Sequence, residues 1–223
     1  MTEEDADRRA VRTTYDRIAP HFSETRAYPW PQITEFLDGR DGGVGLDLGC
    51  GNGRHAEPLA DRCDRVVGLD LSRSLLAIAD ERAGERNVEA AWLQGDAAAI
   101  PLRAGTVDLA LYVAALHHLP SRDARRESLN DLARVLAAGG RALVSVWSVT
   151  HEKFDAETGF DTTVDWTLPD GKRVPRYYHI YDPEEFAADL DASALAVERT
   201  FTDGGNCFGV VRGEGKRTYQ TTG

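Results

Sequence analysis

Lysine is nearly missing from this 223-residue chain: Lys153, Lys172 and Lys216 stand against 23 arginines. There is one methionine, and the three cysteines (Cys50, Cys63 and Cys207) are odd in number and lack C-x-x-C spacing. That spacing argues against a disulfide framework and against a zinc site; a buried thiol is the expectation for Cys50. No apolar run approaches the ~20 residues that a membrane-spanning helix needs. Met1 to Arg12 is polar and charged, unlike a signal peptide, so a soluble, cytoplasmic protein is expected. The 37 acids against 26 bases leave a net charge of −11, which ordinarily argues against a nucleic-acid partner. Arginine in place of lysine on an acidic surface is also the composition expected of a high-salt cytoplasm, where dense carboxylates keep a protein hydrated. Halophilic adaptation would weaken the charge argument. The length is that of one domain with a full core.

Against these absences stands one dense stretch, Val44 to Gly53, with the sequence VGLDLGCGNG. An apolar strand runs into Asp47 and then into glycines at alternate positions, Gly49, Gly51 and Gly53. Without Cβ atoms the backbone turns sharply and approaches a ligand closely. The string is not the G-x-G-x-x-G of dinucleotide binding, and no P-loop lysine follows. The Asp-x-Gly-x-Gly-x-Gly turn resembles motif I of the class I S-adenosylmethionine (SAM) methyltransferases. Asp47 places an acceptor where a ligand amine would sit. A tight turn without a ligand is the alternative, and two later acids count against it. Val66 to Asp70 is a second buried strand ending in an acid, where Asp70 would hold ribose hydroxyls. Trp92 to Ala97 ends a third strand with Asp96, placed to accept from an adenine amino group.

The rhythm along the chain predicts helices over Asp7–Ile18 and Pro31–Asp38, then a SAM-binding core from 44 to 147. Ser72 is an expected N-cap for a helix reaching Arg82. The third strand is expected over Asn87–Leu93, a fourth over Val107–Ala114, and a fifth over Arg141–Trp147. A long amphipathic helix, Ser121 to Ala137, is expected to end at Gly139-Gly140. Alternating strands and helices argue for an α/β, Rossmann-like, mostly parallel sheet of seven strands with helices on both faces. Residues 1–40 would form an N-terminal helical cap. After Trp147 the periodicity fails, so 148–181 is expected as a substrate-side lid or insertion. A helix from Asp182 to Leu190 would follow. Leu195–Phe201 and Cys207–Arg212 would close the sheet, within 182–213, as an antiparallel hairpin.

Singly, the remaining segments have bland readings: Trp147 at a strand end is more often core, and one histidine of His117-His118 is expected to be structural. Together, YDRIAPHFSETRAYPWP, LDLGCGNGRH, ALHHL, ARVLAAGG, VSVW and RYYHIYDPEEF resemble the tRNA wobble-uridine carboxyl methyltransferases. These esterify 5-carboxymethyluridine to its 5-methoxycarbonylmethyl form. The resemblance runs from about residue 14 to 211; its specific parts are H-F-S-x-T-R-x-x-P-W-P and R-Y-Y-H. The short polar stretch 150–172 and the lack of a basic tail depart from the family. The resemblance implies SAM as cofactor, held by Tyr15, Asp47, Gly49, Gly51, Asn52, Asp70, Leu71, Asp96, Ala97 and Ala114. It also implies tRNA, through its anticodon loop, as substrate. A small zinc-binding adaptor would be the partner, pairing with the edge strand near Asn87–Leu93, where Val88, Ala90 and Trp92 would form an exposed apolar stripe.

The chemistry can be matched to residue types. A carboxylate is already ionised at neutral pH, so it needs no general base to act as a nucleophile. It needs orientation at ~3 Å from the methyl and exclusion of water. A planar guanidinium matches a carboxylate better than an ammonium does. Arg26 and Arg176 are therefore the expected orienters, with His21, His117 and His179 as further donors. Tyr177 or Trp147 would stack on the flipped uracil. Two arginine-rich clusters, Arg122/Arg125/Arg126 and Lys172/Arg173/Arg176, are candidates for RNA phosphates. A small-molecule enzyme acting on a carboxylic acid or quinone precursor, and a non-catalytic SAM-binding scaffold, are the other readings.

Overall fold

A computed structural model describes residues 3–214; Met1, Thr2 and Lys216 lie outside them. The chain opens with helices α1 (Glu3–Glu24) and α2 (Pro31–Leu37), then β1 (Gly42–Leu48), α3 (Ala56–Ala60) and β2 (Cys63–Asp70). Next come α4 (Arg73–Arg86), β3 (Ala90–Gln94), β4 (Val107–Val113), α5 (Arg122–Val135) and β5 (Leu136–Trp147). A hairpin of β6 (Phe160–Thr167) and β7 (Arg173–Ile180) precedes α6 (Pro183–Asp191), β8 (Leu195–Asp203) and β9 (Asn206–Gly213). Seven strands form one sheet in the order β3-β2-β1-β4-β5-β9-β8. The first five run parallel, and β9 and β8 pair antiparallel. The strand order reverses between β1 and β4, and a crevice for a ligand forms at such a switch point, outside the carboxyl ends of the strands.

Both faces of the sheet are covered, because side chains alternate along each strand. On β4, Ala110 and Tyr112 join Leu129, Leu132, Phe186 and Leu190 of α5 and α6. Leu109, Leu111 and Val113 point the other way, toward Ile33, Phe36 and Leu59 of α2 and α3. The central strands are thus apolar on both sides, as a covered parallel sheet requires.

Helix α1 runs past the predicted Ile18 to Glu24 and α4 past Arg82 to Arg86, and three further departures have a physical reason. Helix α5 stops at Val135, and Gly139 and Gly140 lie inside β5, where the pairing with β4 shifts register between Val107 and Leu109. A Cβ on Gly140 would come within 2.6 Å of the Val107 carbonyl oxygen. The glycines serve a bulge and not a helix stop. Asn87 belongs to no strand: it caps α4 in the left-handed conformation, at φ 55°. Residues 148–181 hold the two-stranded β6–β7 sheet. Alternation on β7 buries Val174, Arg176, Tyr178 and Ile180, a period hidden from the sequence by the charge and hydroxyls it carries.

The edge strand also needs correction. β3 is at the sheet edge, but Val88, Ala90 and Trp92 are half-buried against the core. Trp92 turns over Gly53 and Gly68, neither of which has room for a Cβ beneath the indole. What β3 leaves open is its outer backbone edge, and not an apolar stripe.

Candidate active site

The carboxyl ends of β1, β2 and β4 surround a cavity of about 370 Å³, roofed by α1 and by β7. The glycine loop forms its floor. Gly49, Gly51 and Gly53 have φ of 71°, 54° and 70°, a region that disfavours any residue with a Cβ. Asn52 is buried and donates from Nδ2 to the carbonyl of Arg26 at 3.0 Å, fastening the loop to the segment after α1. Asp70 lines the cavity; its Oδ2 accepts from Gly51 N–H and its Oδ1 from Ser72 N–H, each at 2.8 Å. Burial raises its pKa, and these backbone bonds oppose the rise. A carboxylate offers about four acceptor positions, so Asp70 keeps acceptor capacity for a ligand hydroxyl beyond its backbone donors. Asp96 lines the far wall, where Arg8 pairs with it at 3.1 Å. Leu71, Ala97, Ala114 and Tyr15 line the same space.

Asp47 is placed otherwise. It is 1% exposed, lies outside the cavity lining, and leaves Oδ2 without a partner; Oδ1 is 4.0 Å from His55 Nδ1. Burial pushes its carboxyl up to about 7. It does not itself line the chamber.

On the opposite wall stands Arg176, 8% exposed, with Nε lacking any partner. Its guanidinium carbon is 4.9 Å from the centre of the Trp166 ring and 5.1 Å from that of Tyr178. Arg26 approaches the same Trp166 ring at 5.7 Å and also lines the cavity. The cavity therefore brings Arg26 and Arg176 together around one indole. His117 is there too, buried and held neutral by burial, which lowers its pKa well below the usual range. Its Nδ1 accepts from Trp147 N–H at 2.9 Å. His118 has a pKa lowered to about 4 by burial, and bridges Tyr15 Oη and the Tyr177 carbonyl, each at 2.8 Å. Trp147 lines the cavity.

Besides Asp47, three sequence-derived candidates fall outside the cavity lining. Tyr177 faces away on β7: its one hydroxyl proton is shared between the Pro120 carbonyl at 3.0 Å and Asp161 Oδ1 at 2.9 Å. Tyr178, one residue on, is the tyrosine that lines the chamber. His21 accepts from Trp166 Nε1–H at 3.0 Å and so positions that ring from behind. His179 is clamped between Asp161 and Glu185 at 2.6 and 2.9 Å. Of the two arginine clusters, the first is largely spent: Arg122 and Arg126 both reach buried Asp189 at 2.8 Å, and Arg125 is itself buried. Residues missed from sequence were Arg54, Trp166 and Tyr178; the two-residue spacing of Tyr178 from Arg176 becomes a signal only once 173–180 is known to be a strand.

The glycine loop, the open acceptor capacity of Asp70 and the apolar wall of Leu71, Leu75 and Val113 fit a nucleoside. Fold and cavity define a class I SAM-dependent methyltransferase, with SAM as its cofactor. Residues 46–144 match the methyltransferase domain family. The tRNA (carboxymethyluridine(34)-5-O)-methyltransferase of Schizosaccharomyces pombe is 30% identical over 205 residues, covering 86% of this chain and 80% of that protein. The tRNA (carboxymethyluridine(34)-5-O)-methyltransferase ALKBH8 of Mus musculus is 38% identical over 147 residues, 66% of this chain. The match spans only 21% of that longer protein, and against the Saccharomyces cerevisiae relative it spans 59%. The chain belongs to the tRNA (carboxymethyluridine(34)-5-O)-methyltransferase family. Its fold is shared, at TM-score 0.66 and 17% identity over 90% of this chain and 98% of the other, with the protein solved in complex with the Haloferax volcanii Trm112 methyltransferase activator.

Proposed function

We propose that this methyltransferase esterifies the carboxylate of 5-carboxymethyluridine in tRNA. The observation that carries the reading is Arg176: a buried guanidinium, unpartnered at Nε, facing the cavity between two aromatic rings. A cation held out of water in this way is costly until an anion joins it, and an acceptor carboxylate supplies that anion. When bound, SAM supplies an electrophilic methyl group. The chain's own residues do the rest. Arg176 and Arg26 hold the carboxylate oxygen in line, and Trp166 and Tyr178 keep water from the guanidinium. Neutral His117, locked to the Trp147 backbone, shapes the wall between acceptor and cofactor. No proton has to move before attack, since the acceptor is already an anion at neutral pH.

A net charge of −11 does not leave the cavity mouth acidic. Helix α1 turns Arg8, Val11, Arg12 and Tyr15 toward the cavity. Arg9, Thr13 and Arg17 face a shallow groove beside Val174 and Pro175 of β7. Arg9 and Arg17 are exposed and make no ion pair among the described residues. This arginine row supports an RNA backbone running past the chamber. Replacing Arg9 and Arg17 by glutamine should lower the salt slope of tRNA binding by about 1.4 to 1.8, while binding of S-adenosylhomocysteine stays unchanged. An unaltered slope would remove this row from the RNA path. The open edge of β3, together with the activator-bound structure of similar fold, supports a small zinc-binding adaptor as the second subunit, adding a strand there.

The experiment follows labelled methyl from SAM into tRNA bearing carboxymethyluridine, in high salt, with and without the adaptor, reading nucleosides by mass spectrometry. Methoxycarbonylmethyluridine appearing is the expected result, and its dependence on the adaptor tests the partner. No label in tRNA under either condition would turn the reading toward a small carboxylic acid.

A further inference from the structure

The cavity holds a second cationic station. Arg54 directly follows the glycine loop and lines the cavity beside Gly51, Asn52 and His55. Its guanidinium carbon lies 5.4 Å from the centre of the Trp30 ring. It makes no hydrogen bond or ion pair among the described residues. Burial, with repulsion from Arg26, lowers its pKa to about 10, so it remains a cation at neutral pH. The acid acting on it, Asp47, lies outside the chamber. Like Arg176, this is a partly desolvated charge awaiting an anion.

The two stations sit against different aromatic rings. Arg54 is against Trp30, next to the glycine loop; Arg176 and Arg26 are against Trp166, next to the β6–β7 hairpin. Methyl transfer from SAM to a carboxylic acid brings two carboxylates into one cavity: the amino-acid carboxylate of SAM and that of the acceptor. With a single anion station the two would compete for the same guanidinium. We propose that Arg54 binds the amino-acid carboxylate of SAM, which leaves Arg176 for the acceptor. This division rests on the SAM cofactor and on the carboxylate acceptor proposed above. The Arg54 half can be tested without any RNA, so it can fail separately from the choice of acceptor.

The test is calorimetric binding of two unreactive ligands to the full chain. S-adenosylhomocysteine carries the carboxylate; 5′-methylthioadenosine has the same nucleoside and no amino-acid group. Arg54→Gln should weaken S-adenosylhomocysteine by about 10- to 100-fold, the worth of a charge-assisted pair. 5′-Methylthioadenosine should bind as before, which also reports an intact pocket. Arg54→Lys should recover part of the loss, because it keeps the charge without the fork. Arg176→Ala should leave both ligands unchanged. The assignment is overturned if Arg54→Gln binds S-adenosylhomocysteine like the parent, or weakens both ligands equally. It is also overturned if Arg26→Ala alone produces the selective loss.

Discussion

Arg176→Ala is expected to lower kcat/KM on carboxymethyluridine tRNA by about 10²- to 10⁴-fold, the ~3–5 kcal/mol typical of truncating one partner of a buried charge pair. The loss should be large because Arg176 is the buried one of the two guanidiniums beside Trp166. Arg26 approaches the same Trp166 ring at 5.7 Å, but it is less buried and its Nη1 already donates to the Thr25 carbonyl at 3.2 Å. Arg176→Lys should rescue poorly. An ammonium retains the charge but has no flat face to lie between Trp166 and Tyr178, and it cannot offer two parallel N–H donors. The readouts are steady-state kinetics on the modified tRNA and binding of S-adenosylhomocysteine as the control. Turnover by Arg176→Ala within a few-fold of the parent would sink the acceptor assignment. A methyl ester analogue of the substrate, lacking the negative charge, should bind the parent and the variant alike.

How much of this was legible before the structure depends on how local each signal is. The glycine loop and the acids at the ends of β2 and β3 were readable, since a strand end followed by Cβ-free residues is a contiguous pattern. The seven-stranded sheet followed from strands and helices alternating with plain apolar runs. What failed was long-range. Tyr177 and Tyr178 are equivalent in composition; only knowing that 173–180 is a strand assigns Tyr178, two residues from Arg176, to the same face. The arginines after the histidine pair looked free because their neutralising acid, Asp189, comes more than 60 residues later, on another helix. Asp47 was given a ligand because motif spacing places it at the strand end. Spacing alone does not tell which side of the loop a carboxylate occupies. Arg54 is illegible for the opposite reason: it reads as the start of a helix, and only the fold shows it lining the chamber with no ion pair among the described residues.

Gly49→Ala is expected to cost about 2–4 kcal/mol of stability, combining left-handed strain with overpacking. At this size that is a fall in Tm of roughly 5–15 °C. Two features act at once. Gly49 sits at φ 71°, and the Cβ of an alanine there would overlap the Cβ of Ala115. That atom cannot rotate away, because it is fixed to its own backbone just beyond the end of β4, next to Ala114 at φ 54°. Relief therefore requires the loops after β1 and β4 to separate, and those loops form the floor of the cavity. Affinity for S-adenosylhomocysteine should fall along with stability. Gly39→Ala isolates the two causes. Gly39 has φ 65° with nothing within 4 Å of its added Cβ, so it carries the backbone strain alone, about 1 kcal/mol. Urea unfolding of both variants measures the difference. Equal destabilisation by the two would mean that the contact with Ala115 is relieved without moving the loop, and that the glycine is there only for its backbone angle.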